Sequence, residues 1–319
     1  SYHAMKLHQL RYVWEVYRHH LNISQAADAL YTSQPGISKQ LRLLEDELGV
    51  SLFVRQGKKI VALTEPGELI LKKAEKIMRE LNNIYAISAD LASKSEGQLT
   101  IAGDYDFTRQ QLPHAIARFK QAYPKIKVSI YADSVEEVIR KVSGCEVDLG
   151  IITQHSSFDS DLLYLPGETG NYDLLLLPDH PLALKEYIEL QDLLAFPLIT
   201  YSGDLQNQES VALAYHKAGL PLPEVSIASM DTDTIKAYVL KGLGIGLINS
   251  LGLDWDRLEA DLEVVSIAHL FSSPQCHMVL RQGQYLHRYM YDLIGWIVPG
   301  LSPGRIDQLR EEKPSDYMI

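Results

Sequence analysis

The chain has 319 residues, 46% of them hydrophobic, and carries 30 Lys/Arg against 41 Asp/Glu for a net charge of −11. That length suits two or three domains with substantial cores and excludes a single small module. No stretch approaches the ~18 apolar residues of a membrane span. The two cysteines, Cys145 and Cys276, lack the spacing of a zinc site, so a cytoplasmic protein with reduced, structural cysteines and no cofactor is expected.

The acidity is uneven. Residues 5–63 hold eight Lys/Arg against five Asp/Glu, which leaves 22 against 36 for the rest. Nucleic acid responds to local potential, so a mildly basic head on an acidic body is compatible with DNA binding. Ser1 to Ala4, ahead of Met5-Lys6-Leu7, are read as vector-derived and set outside the fold.

In the head, Leu7, Leu10, Val13 and Tyr17 recur at helical spacing and predict a first helix. Ser24 is placed as the cap of a second, starting at Gln25, whose alanines allow close helix approach. Tyr31-Thr32-Ser33 reads as a turn, with Ser33 the cap and Pro35 in the first turn of a third helix reaching about Leu48. Ile37, Leu41, Leu44 and Leu48 form its apolar stripe, and Gln34, Ser38, Lys39 and Arg42 its other face. Two helices joined by a three-residue turn, the second opening on short polar residues followed by basic ones, have the geometry that enters a major groove. A helical hairpin with a solvated face fits the same pattern. In the first reading Gln34, Ser38 and Arg42 meet base edges and Lys39 a phosphate, with Ser24, Gln25, Thr32, Ser33 and Pro35 in the same DNA-facing set. Leu52 to Arg55 and Lys59 to Leu63 flank Gln56-Gly57-Lys58 as a hairpin with a basic tip. That is a wing, and Arg55, Lys58 and Lys59 are its expected phosphate contacts.

Thr64 can cap a long helix with Glu65 and Pro66 in its first turn, running to about Ser93. Ile70, Ala74, Ile77, Leu81, Ile84, Ser88 and Leu91 are alternately four and three apart, the a/d spacing of a two-stranded coiled coil. Docking of this stripe on its own domain is the alternative.

After Lys94-Ser95-Glu96-Gly97 the pattern becomes strand–helix alternation. Strands are predicted over 98–102, 126–132 and 147–152 with helices over 109–122 and 135–142. A second set follows, with strands over 172–177, 225–228 and 245–248 and helices near 206–218 and over 232–241. A strand at 275–280 and a helix at 285–298 return to the first set, and the segment from Pro299 is unassigned. This order predicts two α/β lobes with largely parallel sheets, about 95–168 with 270–298 and about 169–269, joined by two crossings around a ligand cleft. Gly242-Leu243-Gly244-Ile245-Gly246 lacks nucleotide-loop spacing and follows a helix, so it reads as a helix end and tight turn.

The stretch Leu30-Tyr31-Thr32-Ser33-Gln34-Pro35-Gly36-Ile37-Ser38-Lys39-Gln40, continuing through Leu44-Glu45-Asp46-Glu47-Leu48-Gly49, resembles the LysR family, and within it the CysB group of regulators of cysteine biosynthesis and sulfur assimilation. Pro178 to Leu182, Thr234 to Val239, Gly242 to Gly246 and Tyr289 to Asp292 agree further along, and the resemblance covers about residues 5–297. It implies a multidomain α/β protein: a winged helix-turn-helix at 5–63, a dimerising linker helix at 64–94, a two-lobed effector domain like periplasmic binding proteins at 95–298, and a tail at 299–319. It also implies a homotetramer on promoter DNA, with a small effector in the inter-lobe cleft that changes DNA bending and contact with RNA polymerase.

The departure lies in that cleft. The CysB pattern holds an anion such as sulfate, at a site linked to an acetylserine inducer, with Thr, Thr and Gln where this chain has Asp104, Asp106 and Phe107. One further threonine of the pattern matches Thr153, another falls at Gln206, and Glu168 adds an acid near the crossing. A carboxylate at a helix start satisfies the donors an anion would use. Asp106 is expected as that cap and Asp104 as the residue facing a cationic, zwitterionic or neutral effector. Two other classes fit parts of the chain: a solute receptor, which the basic head and the lack of a leader-like segment disfavour, and a hydrolase or metal site built on Asp104 and Asp106, which lacks nucleophile and further ligands.

Overall fold

The computed structural model describes residues 4–92, 96–153, 158–202, 205, 208–254 and 260–312. The chain divides into two compact units between Ala89 and Asp90.

In the first unit α1 (Leu7–Arg18), α2 (Ile23–Ala29) and α3 (Gln34–Leu48) pack on one another. The buried face of α1 is Leu10, Val13, Trp14 and Val16, and the predicted Leu7 and Tyr17 lie exposed at the edges of the stripe. Ser24 is not the cap of α2. Asn22 is, its side chain accepting Gln25 N at 3.1 Å, and Ser24 sits inside the first turn. Ser33 caps α3 as expected, accepting Gly36 N at 3.1 Å. Between them Tyr31, 98% exposed, takes a left-handed φ of 52°, which closes the turn without a glycine.

The wing is β1 (Phe53–Gln56) paired antiparallel with β2 (Lys59–Leu63), with Gln56 opposite Lys59 across a two-residue turn in which Gly57 takes φ +62°. Thr64 accepts Gly67 N at 3.0 Å and starts α4 (Glu65–Ala92). A Cβ on Gly67 would fall 2.0 Å from Leu52 O, so glycine lets this helix rest against the strand entering the wing.

The second unit holds two lobes of matching topology. Lobe I contains β3 (Gly97–Gly103), α5 (Tyr105–Gln110), α6 (Leu112–Ala122), β4 (Ile126–Ala132), α7 (Val135–Ser143), β5 (Leu149–Ile152) and β6 (Leu162–Thr169). Lobe II contains β7 (Tyr172–Leu176), α8 (Leu190–Leu193), β8 (Leu198–Tyr201), α9 (Glu209–Lys217), β9 (Val225–Ser229), α10 (Thr232–Leu240), β10 (Ile245–Asn249) and β11 (Glu263–Ser266). The chain returns through β12 (Gln275–Arg281), α11 (Arg288–Ile297) and α12 (Pro303–Glu311). The sheet orders are β4-β3-β5-β12-β6 and β9-β8-β10-β7-β11. In each sheet one strand, β12 or β7, runs antiparallel to both neighbours, so the sheets are mixed rather than uniformly parallel.

The single helix expected over 109–122 is two. It starts at Tyr105, and Pro113, which has no N–H to donate, separates α5 from α6. The unassigned tail is also structural: α12 places Ile306 and Leu309 in the core of lobe I with Leu99, Ile101, Phe119 and Leu293. Gly242 takes φ +73° just past α10, as the helix-end reading requires, and a Cβ on Gly244 would meet Pro197 O at 2.4 Å.

Candidate functional site

On the head, Ser24, Gln25, Ser33, Gln34, Pro35, Lys39 and Arg42 are exposed, while Thr32 and Ser38 are half-buried. Ser24 Oγ donates to Gln34 Oε1 at 3.2 Å, which links the start of α2 to the start of α3. Lys58 and Lys59 are exposed at the wing tip. Arg55 differs. Its guanidinium grips the buried carboxylate of Glu45 on α3, and Glu45 Oε2 also accepts Leu52 N at 2.8 Å. With Nη1 and Nη2 both on Glu45, Arg55 ties the wing to the recognition helix.

The long helix α4 serves two faces. Leu71, Ala74 and Met78 are buried, so Ala74 belongs to the packed face and not to an open seam. Ile77, Ile84 and Leu91 are exposed, Ile84 by 61% and Leu91 by 77%, while Ile70 and Leu81 are half-buried.

Between the lobes, the start of α5 reaches across. Asp104, following β3, is its N-cap: Oδ1 accepts Phe107 N at 2.8 Å. Asp106 leaves the first turn and binds lobe II, where Oδ1 accepts Thr232 N at 2.8 Å and Oδ2 accepts Thr232 Oγ1 at 2.6 Å. Thr232 opens α10, so the carboxylate satisfies one of the four N–H groups that a helix start leaves unpaired. The cap is therefore Asp104 and not the expected Asp106, which bridges the lobes instead.

The receiving pocket is built closely around that carboxylate. Tyr201 Oη lies 2.8 Å from Thr232 Oγ1 and accepts Asn249 N at 2.8 Å. A Cβ on Gly252 would lie 2.3 Å from both Asp106 Oδ2 and Thr232 Oγ1. Three residues on, Arg109 Nη1 donates to Asp231 Oδ2 at 2.9 Å and Asp233 Oδ2 at 2.8 Å, and Gln111 Nε2 donates to Leu251 O at 3.2 Å. Burial pushes the Asp106 carboxyl up to about 7, outweighing the two Thr232 hydrogen bonds, and the charges of Asp104 and Asp231 add to the rise. Burial likewise raises Asp104 against hydrogen bonds from Phe107 and Thr153.

The remaining predicted cleft residues divide. Thr153 is half-buried beside Asp104 and Glu168 is exposed. Phe107 is buried in the apolar cluster of lobe I, which also takes in Leu251. Gln206 lies outside the described residues. Sequence reading missed Arg109, Tyr201, Asp231, Thr232 and Gly252, because each gains its role only from the opposite lobe. A Gly252→Ala variant is expected to displace Asp106 from Thr232 and cost about 1–3 kcal/mol in urea unfolding. Gly295→Ala, whose Cβ would meet only Leu301 O at 3.5 Å, should stay close to wild type.

A family model described as LysR substrate binding domain matches residues 92–302, and one described as bacterial regulatory helix-turn-helix protein, lysR family, matches residues 7–68. The HTH-type transcriptional regulator CysB of Burkholderia cenocepacia is 37% identical over 315 residues, 99% of this chain and 100% of that protein. SsuR of the same organism is 32% identical over 308 residues, 97% of this chain and 99% of that protein. Among solved structures, the cofactor-binding domain of the Cbl transcriptional regulator superposes with a TM-score of 0.63 at 29% identity, over 68% of this chain and 95% of that one. With a helix-turn-helix head and a two-lobed body both matched, the chain belongs to the LysR family of DNA-binding transcription regulators, alongside CysB, SsuR and Cbl, and is not an enzyme.

Proposed function

We propose that this regulator controls genes of cysteine and sulfur metabolism from the cytoplasm. Head residues 5–63 read promoter DNA, the helix over 64–94 pairs two copies within a homotetramer, and the lobes of 95–298 hold a small effector whose binding changes DNA bending and contact with RNA polymerase. The full-length likeness to CysB and SsuR carries this reading. On the DNA side it is supported by the exposed row Gln34, Lys39 and Arg42 beside the Lys58/Lys59 tip. Transcript profiling of a strain lacking the gene, grown with and without sulfate, tests it. Altered expression confined to genes outside sulfur metabolism would refute the assignment.

Ile77, Ile84 and Leu91, with Ile70 and Leu81, leave an apolar seam along α4 that fits a second copy of the helix. An Ile84→Asp variant should elute as a smaller species than wild type in light-scattering chromatography, with the unfolding transition of the body unchanged. An unchanged mass would remove this helix from the assembly.

A further inference from the structure

One strand of lobe I joins the crossing between the lobes to a loop that holds the linker helix. β12 starts where the chain returns from lobe II: Gly170 N donates to Pro274 O at 2.8 Å, and Gln275 stands opposite Thr169. Seven residues carry it to Arg281, a span of about 20 Å. There Gln284 N closes a tight turn on Arg281 O at 3.2 Å, with Gly283 at φ +72°. The turn is fastened to the sheet, since Gln284 Oε1 accepts Arg281 N at 3.0 Å and Gln284 Nε2 donates to Asp148 O at 2.9 Å. Helix α12 adds a brace: Arg310 donates to Gln284 O and, at 3.1 Å, to Tyr291 Oη, which itself donates to Asp307 Oδ1 at 2.6 Å.

The next residues of this loop take hold of α4. The second compact unit begins at Asp90, so the last turn of α4 belongs to the body. Tyr285 Oη donates to Asp90 Oδ2 at 2.7 Å. His287 Nδ1 lies 3.2 Å from the other oxygen, Oδ1, yet this nitrogen is shut off from solvent and hydrogen-bonds to none of the described residues, being off line for Asp90. The His287 ring is stacked on Tyr289 with centroids 4.8 Å apart and meets Tyr285 edge-on. One donor is thus engaged on Asp90 and a second stands beside it. A small rotation of the loop brings a proton on Nδ1 into line, which gives the grip two discrete arrangements, the property that lets an element couple separate sites.

We propose that the loop over 282–287 is a coupling joint: β12 carries movement at the lobe crossing to Tyr285 and His287, these pass it to the linker helix through Asp90, and α12 keeps the loop stiff enough to transmit it. Tyr285 and His287 are positioning residues, acting through Asp90. Coupling between sites is reciprocal, so DNA held by the head is felt in this loop.

Hydrogen–deuterium exchange of the full chain tests the joint, free and saturated with a duplex of the region upstream of its own gene, at low salt where backbone charge adds to affinity. In wild type, DNA should change the exchange of amides over 282–287 by about fivefold or more. Tyr285→Phe, which loses the engaged donor and keeps the ring, should still form the complex but abolish that change, and should speed exchange in the last turn of α4 by about tenfold. Arg310→Ala should weaken the change, whereas Arg305→Ala, whose partners Gln308 and Glu312 belong to α12 and its end, should leave it intact. Amides in the middle of β12 should exchange as in wild type in every variant. A loop whose exchange ignores DNA in the wild type would overturn the joint, and so would a Tyr285→Phe protein that passes the change on undiminished. Faster exchange throughout β12 in Tyr285→Phe would make the tyrosine a support of lobe I and overturn it too.

Discussion

Replacing Asp106 by asparagine will flatten the pH dependence of the body's stability and make it more stable than wild type at pH 8. The carboxyl titrates near 3.8 when free and is pushed up to about 7 in the fold, so between those values the folded state holds a proton that the unfolded chain has released. Acid therefore favours folding through this group. The contribution is fully present below about pH 4 and is lost as the pH rises through about 7. For wild type this predicts a loss of about 3 kcal/mol from pH 5 to pH 8, or a few degrees of melting temperature per kcal/mol. An asparagine still accepts Thr232 N and can donate to Thr232 Oγ1, as the protonated acid does, without a charge to desolvate. Urea titrations of both proteins at pH 5 and pH 8 check this, and a wild type more stable at pH 8 than at pH 5 through Asp106 would show that the Thr232 hydrogen bonds, not burial, set its protonation.

Truncating Glu45 to alanine is expected to be the most damaging single change in the head. Its carboxylate is buried, and it serves Arg55 and the backbone of Leu52 together. Removing it strands a partly buried guanidinium and an unpaired N–H, at a cost of about 3–5 kcal/mol. Because Arg55 lies on β1 and Glu45 on α3, the wing loses its tie to the recognition helix. DNA affinity should then fall even at temperatures where the helices remain folded by circular dichroism. Lys58→Ala should weaken DNA binding more mildly and reduce its salt dependence by about one phosphate contact.

Periodicity made the helices of the head, the long linker helix and most strands of the lobes legible from residues alone. The failures have local causes. Starting the first body helix at Arg109 puts its cap at Asp106, two residues past the true cap, Asp104. The four-residue strands β8 and β11 went unread, short apolar runs being ambiguous between strand and helix. In β6 an apolar run ends in Pro166-Gly167, which reads as a turn but is tolerated on a sheet edge. Only Ile306 and Leu309 anchor α12, so its amphipathic signal is thin. Ala74 satisfied the heptad spacing, yet the same helix must also bury Leu71 and Met78, and two overlapping stripes cannot be separated by spacing alone.

The inter-lobe bridge was out of reach for a different reason. Asp106, Arg109 and Gln111 pair with Thr232, Asp231, Asp233 and Leu251, more than 120 positions away, and no local pattern encodes such partners. What the residues did show was the chemistry: two carboxylates, Asp104 and Asp106, at the start of the first helix of the body.

Sequence-specific DNA binding by the head is directly measurable. A mobility-shift titration of the full chain on the region upstream of its own gene and on a sulfur-gene promoter, at 50 and 200 mM salt against competitor DNA, measures it. The prediction is a discrete complex that competitor DNA does not remove, weakened by salt, with Arg42→Ala losing about 1–3 kcal/mol and part of its discrimination between sequences. Binding that is equal on all DNA, or unaffected by Arg42→Ala and by salt, would contradict it.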